Sequence, residues 1–178
     1  MAAMTTFHAF LGCSLDGYIA GPHGELDWLT VFDNTGFDTF FASMDALAMG
    51  RKSYDTMRRS APDYYRGTPI HVLSTSLPAG RHQDMGRSRV TVHPDLRSLR
   101  SALSETGANR AYADGGRTVQ TFLTAGLLSD LTITRVPVLL GEGIPLFGRT
   151  PGPLRAELVE STTTAEGAVQ SVYRFPVS

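Results

Sequence analysis

Two separated segments, Ala46–Tyr54 and Ala111–Gln120, share one order: a short apolar run, a glycine, a basic residue, and the start of a helical pattern. A chain leaving a buried strand in this way points unpaired helix N–H groups and the positive dipole end beyond the strand's carboxyl edge. Strand followed by helix, repeated, predicts an α/β domain built on parallel strands. Two anion-receptive ends in one small domain suit a ligand carrying several phosphates. A dinucleotide is the natural candidate, and its presence would make the chain an oxidoreductase.

The remaining pattern supports a single domain over residues 1–178. Phe7–Cys13 reads as a first buried strand, and Asp16-Gly17 with Gly21–Gly24 marks residues 14–30 as a loop. Phe37, Phe40, Phe41 and Met44 recur at helical spacing and predict a helix over 34–44. Leu47–Met49, Ile70–Ser74, Val90–Val92 and Ala111–Ala113 are further strands, and Arg51–Met57 a helix. Asp95 is placed to cap a helix carrying Leu96, Leu99, Ala102 and Leu103; Gly126 stops another built on Val119, Phe122 and Leu123. Beyond it the pattern turns to strands alone. Leu131–Val136 alternates, Gly141–Pro145 reads as an irregular turn, and residues 154–163 and 168–177 form a hairpin about Glu166-Gly167. The expected sheet is parallel in its first part and antiparallel at its end.

Several function classes drop out. Formal net charge is -1, so bulk electrostatics give no case for nucleic acid or an anionic membrane. No apolar run spans a bilayer, and the single cysteine, Cys13, rules out an intrachain disulfide; a cytoplasmic protein is expected. Five histidines lie scattered without ligand spacing, so no metal is expected. Around Ser14 a nucleophile elbow fails because Asp16 stands where glycine is needed, and Gly50–Ser53 lacks the earlier glycine of a phosphate loop.

Ser14–Ala20, Met49–Tyr54, Val72–Ser74, Asp114–Gly116 and Val138–Gly148 together resemble the dihydrofolate reductase superfamily. The likeness is closest to its bacterial branch related to the reductase domain of riboflavin biosynthesis. It implies a three-layer α/β fold: a mixed, mostly parallel central sheet flanked by helices and closing with an antiparallel hairpin. It also implies NADPH across the carboxyl ends of the strands. Carried over, Gly50, Arg51, Lys52 and Ser53 would hold one side of the cofactor, with Arg51 at the 2′-phosphate. Leu73, Ser74 and Thr75 would flank the adenine, and Gly115 and Gly116, an often cis pair, would lie beside the pyrophosphate. Asp114, Arg117, Thr118 and Val119 would complete that turn, while Gly12 and Ile19 would meet the nicotinamide end. For either turn alone, a plain strand-to-helix connection with a solvated arginine remains the alternative. Asp114 departs from the glycine of folate-reducing enzymes and favours the riboflavin-type branch, provided its carboxylate turns away or accepts N–H bonds.

Hydride transfer to a C=N or C=O carbon also requires a proton at the heteroatom. Trp28 matches a family tryptophan, which puts the substrate carboxylate on Asp33, with Asp27 as competitor. Trp28 would then wall the pocket beneath a mobile 14–30 loop, or simply anchor that loop. The expected activity is reduction of a small heteroaromatic or imine-like substrate. A riboflavin-pathway pyrimidine reductase and a non-catalytic NADPH-binding domain are the alternatives. A homodimer is expected from the branch and from the apolar terminal strands.

Overall fold

The computed structural model describes residues 4–32 and 36–176. Asp33, the favoured substrate carboxylate, therefore lies outside the described residues. Among these residues, nine strands form one sheet in the order β10-β11-β8-β1-β7-β3-β4-β6-β5. They are β1 (Thr6–Cys13), β3 (Ala46–Gly50), β4 (Ile70–Leu73), β5 (Gly80–Arg81), β6 (Val90–His93), β7 (Arg110–Asp114), β8 (Leu128–Arg135), β10 (Glu157–Thr163) and β11 (Val169–Arg174). From β8 through β6 every neighbour is parallel. The hairpin β10–β11 and the short edge strand β5 are antiparallel. β10, the outermost strand, is exposed along its whole length.

Two helices pack on each face. On one side α1 (Phe37–Ala42) and α2 (Arg51–Ser60) cover Phe10, Leu47, Met49, Ile70, Val72 and Tyr112. On the other, α3 (Leu96–Glu105) and α4 (Gly116–Thr124) bring Leu99, Val119 and Phe122 onto Phe7, Ala9, Ala46, Ala48, Ala111 and Ala113. The period of two along β3 and β7 thus sorts large side chains to the α1/α2 face and alanines to the α3/α4 face. That small layer lets α4 sit close to the strands, and Phe7 stacks on Phe122 at 4.3 Å between centroids.

Asp95 caps α3 as expected, accepting from the Ser98 N–H at 2.8 Å. Asp95→Ala should cost about 1 kcal/mol, lowering Tm by roughly 2–4 °C in a thermal melt. The helix expected over 34–44 is shorter, six residues, and the Ser43 hydroxyl closes it on the Phe40 carbonyl at 2.7 Å. The edge strand β5 was not expected either, and a further difference is a second, two-stranded sheet. Residues Tyr18–Ala20 (β2) pair with Ile144–Pro145 (β9), so part of the expected loop and part of the expected irregular turn zip together. Strands of two or three residues are too short to show a periodicity.

Candidate functional site

β3 and β7 are neighbours with Met49 opposite Asp114, so both strands end at the same level. Their turns into α2 and α4 consequently lie side by side. A methyl built on Gly50 would meet Thr118 Oγ1 at 3.5 Å, and one on Gly115 would meet Ser53 Oγ at 2.7 Å. Neither helix start carries a side-chain cap. The first-turn N–H groups of both helices therefore face the same space beyond the sheet.

The turn glycines differ in kind. Gly50 is extended, with φ −80° and ψ 163°. Gly115 has φ 90° and ψ 140°, a combination that L side chains avoid. Ile19 Cδ1 lies directly over Gly116, where an added methyl would meet the flexible end of that side chain. All peptide bonds among the described residues are trans, so the expected cis arrangement at Gly115–Gly116 is corrected; the positive φ of Gly115 alone shapes the turn.

A hydroxyl and guanidinium cluster flanks the start of α2. Arg51 donates through Nη1 to Ser76 Oγ at 2.7 Å and through Nε to Asp55 Oδ2 at 3.3 Å. The Ser74 hydroxyl, just past β4, accepts from the N–H groups of Ser76 and Leu77 at 3.2 and 3.1 Å. Ser76 was not expected from sequence; only the tight turn that Ser74 caps brings it to Arg51. Thr75 and Lys52 are exposed beside the cluster, whereas Leu73 packs into the α3/α4 core. Arg117 is exposed at the start of α4. Val119 is spent on packing: its side chain is buried and its N–H donates to the Gly115 carbonyl at 2.9 Å. It backs the turn and does not face outward.

Asp114 shows how an acid is tolerated beside two anion-receptive helix starts. Its carboxylate turns inward on the α1/α2 face, accepting from Tyr65 at 2.5 Å and Tyr112 at 3.1 Å, with the Gly115 N–H as a further donor. Burial nevertheless pushes the carboxyl above the ordinary range, outweighing those donors. Tyr65 is 3% exposed and fixed by this bond. Tyr64, 48% exposed, stacks on Phe37 at 6.2 Å.

The 14–32 segment divides into a fixed and a folded-back part. Asp16 accepts from the Ser14 hydroxyl at 2.6 Å and from the N–H groups of Leu140 and Gly141 at 3.2 and 2.8 Å. These donors hold its carboxyl down to about 2. Further along, Leu29 lies over Gly12, whose added methyl would meet the leucine's Cδ atoms at 2.8 Å. Trp28 is half-buried, belongs to neither core cluster, and donates from Nε1 to the Glu25 carbonyl at 3.0 Å. It is held by its own loop and is not a core anchor. Asp27 is exposed, its carbonyl accepting from Thr30 Oγ1 at 3.0 Å.

Two of the scattered histidines do meet: His71 Nδ1 and His93 Nε2 lie 2.9 Å apart on neighbouring strands, and burial lowers the pKa of His71 to about 4. Among the described residues no helix is long and apolar enough to cross a membrane.

Residues 6–170 match the RibD C-terminal domain family. The chain belongs to that family. The resemblance to the riboflavin-biosynthesis branch is thereby borne out. A putative riboflavin biosynthesis protein from Shewanella sp. PV-4 is 32% identical, with a TM-score of 0.84 over 96% of this chain and 99% of the other. A diaminohydroxyphosphoribosylaminopyrimidine deaminase/5-amino-6-(5-phosphoribosylamino)uracil reductase from Thermotoga maritima is 14% identical, with a TM-score of 0.73 over 97% of this chain and 57% of the other. Dihydrofolate reductase from Enterococcus faecalis, complexed with NADP(H), is 15% identical, with a TM-score of 0.67 over 98% and 99%. The last two show the shared fold, which is the three-layer, mostly parallel arrangement expected.

Proposed function

We propose that this member of the RibD C-terminal domain family is an NADPH-dependent reductase of a small heteroaromatic or imine-like substrate. The observation that carries this is the pair of uncapped, glycine-led helix starts side by side at one sheet edge, with Arg51, Ser74 and Ser76 clustered at their flank. Those residues fit a dinucleotide. The Gly115–Gly116 turn admits close backbone approach, and Arg51 with the two serine hydroxyls suits a phosphate on the adenosine ribose. Bound there, the cofactor supplies the hydride. The chain's own groups orient it, with Ile19 and Leu29 keeping water from the nicotinamide end. Asp33, Asp27 and Trp28 remain the proposed substrate-side residues, and Asp27 and Trp28 are carried on the segment that folds back over Gly12.

Titrating NADPH and NADH by fluorescence tests this reading. Arg51→Ala should weaken NADPH by about 1–2 kcal/mol, roughly 5- to 30-fold, the lower part of the charge-assisted range because the side chain is half-exposed. NADH should scarcely change. Equal losses for both would remove Arg51 from the 2′-phosphate, and a wild-type protein blind to both would end the reading.

Family membership favours a second reading of the substrate, a ribosylaminopyrimidine phosphate. Turnover of that compound separates the two.

A further inference from the structure

We propose that Asp16 is a positioning residue: it bolts the Ser14–Ala20 turn to the Val138–Leu146 segment and so holds Ile19 on the Gly115–Gly116 turn. The inference rests on the nucleotide reading above, in which Ile19 walls the nicotinamide end.

The attachment has four independent parts. The Asp16 carboxylate uses one oxygen for Leu140 N–H and the Ser14 hydroxyl, and the other for Gly141 N–H. Main-chain bonds run from Leu15 N–H to the Val138 carbonyl at 2.7 Å, and from Leu146 N–H to the Gly17 carbonyl at 2.8 Å. The β2–β9 pairing continues the seam through Tyr18–Pro145 and Ala20–Ile144. Gly143 packs so closely on the Ala20 carbonyl that a side chain there would collide with it. Ser14 is fully buried, and its hydroxyl also accepts from the Tyr18 N–H at 2.9 Å, so the carboxylate, the hydroxyl and the strand bearing Ile19 form one chain of bonds.

The consequence is a division of labour along the expected mobile loop. Residues 14–20 are a wall built from both ends of the sequence, and any opening is confined to residue 21 onward. Asp16 touches neither substrate nor cofactor; it acts through Ile19.

The test uses two probes that share the adenosine 2′-phosphate but differ at the nicotinamide: NADPH and adenosine 2′,5′-bisphosphate. Asp16→Ala is expected to weaken NADPH about tenfold and leave the bisphosphate unchanged. Asp16→Asn, which keeps one accepting oxygen, should recover part of the loss, and Ile19→Ala should reproduce the same split. In parallel, hydrogen exchange at Leu140, Gly141 and Tyr18, the amides bonded to Asp16 and Ser14, should accelerate in Asp16→Ala while β1 and β7 stay protected. Equal weakening of both probes, no weakening, or unchanged exchange at these amides overturns the proposal. A wild-type protein that binds neither probe ends the nucleotide reading instead, and exchange alone then decides whether Asp16 holds Ile19.

Discussion

Gly115→Ala is expected to damage both stability and nucleotide binding. The backbone at this position, φ 90° and ψ 140°, lies where essentially only glycine is comfortable, so a methyl there costs about 1–3 kcal/mol. The same methyl would approach Ser53 Oγ to 2.7 Å, pushing that side chain into the space between the two helix starts. Relieving the strain by turning the peptide would withdraw the N–H groups at the head of α4. Denaturant unfolding should show the midpoint falling, and NADPH titration should show a loss of at least tenfold, about 1.4 kcal/mol. Gly116→Ala is the comparison. Its methyl meets only the flexible tip of Ile19, so stability should change little while NADPH binding still suffers. A Gly115→Ala protein as stable and as retentive of NADPH as the parent would dismiss the turn as a mere connection.

Asp114→Ala should be the more disruptive to the fold. It strands the Tyr65 hydroxyl, whose partner is this carboxylate, at about 1–3 kcal/mol. Tyr112 is better placed, because its hydroxyl also reaches the Phe10 carbonyl at 3.3 Å. Tyr65→Phe in the same background should recover part of the loss, and a double-mutant cycle would measure the coupling. Acidity gives a second readout. Because burial raises the Asp114 carboxyl in the folded protein, the folded state binds that proton more tightly than the unfolded chain does. Its contribution to stability is therefore present below the ordinary carboxylate value and declines as pH rises from about 4 through the raised value. Asp114→Asn should flatten that decline. Asp16 acts in the opposite sense, its support being present above about 4 and lost as pH falls towards about 2. Urea unfolding across pH 2–7, with and without Asp114→Asn, reads out both signs.

Much of this architecture was legible in the chain because it is written locally. An apolar run ending in glycine and a basic residue specifies strand, turn and helix within ten residues, and β3, β7, α2 and α4 all lie where that pattern put them. Asp95 likewise announces its helix by chemistry three residues long. What escaped the reading depends on residues far apart in sequence. Asp16 meets Gly141, Tyr65 meets Asp114, and neither segment alone hints at its partner. Ser76 escaped for another reason: its closeness to Arg51 follows from a serine-capped turn after β4, where composition gives no periodic signal. The condition set for Asp114, that its carboxylate turn away or accept N–H bonds, is met: it turns inward onto the Tyr65 and Tyr112 hydroxyls and also accepts from the Gly115 N–H.

The alanine layer of β3 and β7 carries one more implication. Ala46, Ala48, Ala111 and Ala113 are the floor on which α4 rests, and α4 begins at the glycine turn. How far that helix's positive end stands from the sheet edge is governed by four methyl groups at the centre of the protein. Affinity for a phosphate could thus be adjusted from the interior, with every outward-facing residue left as it is.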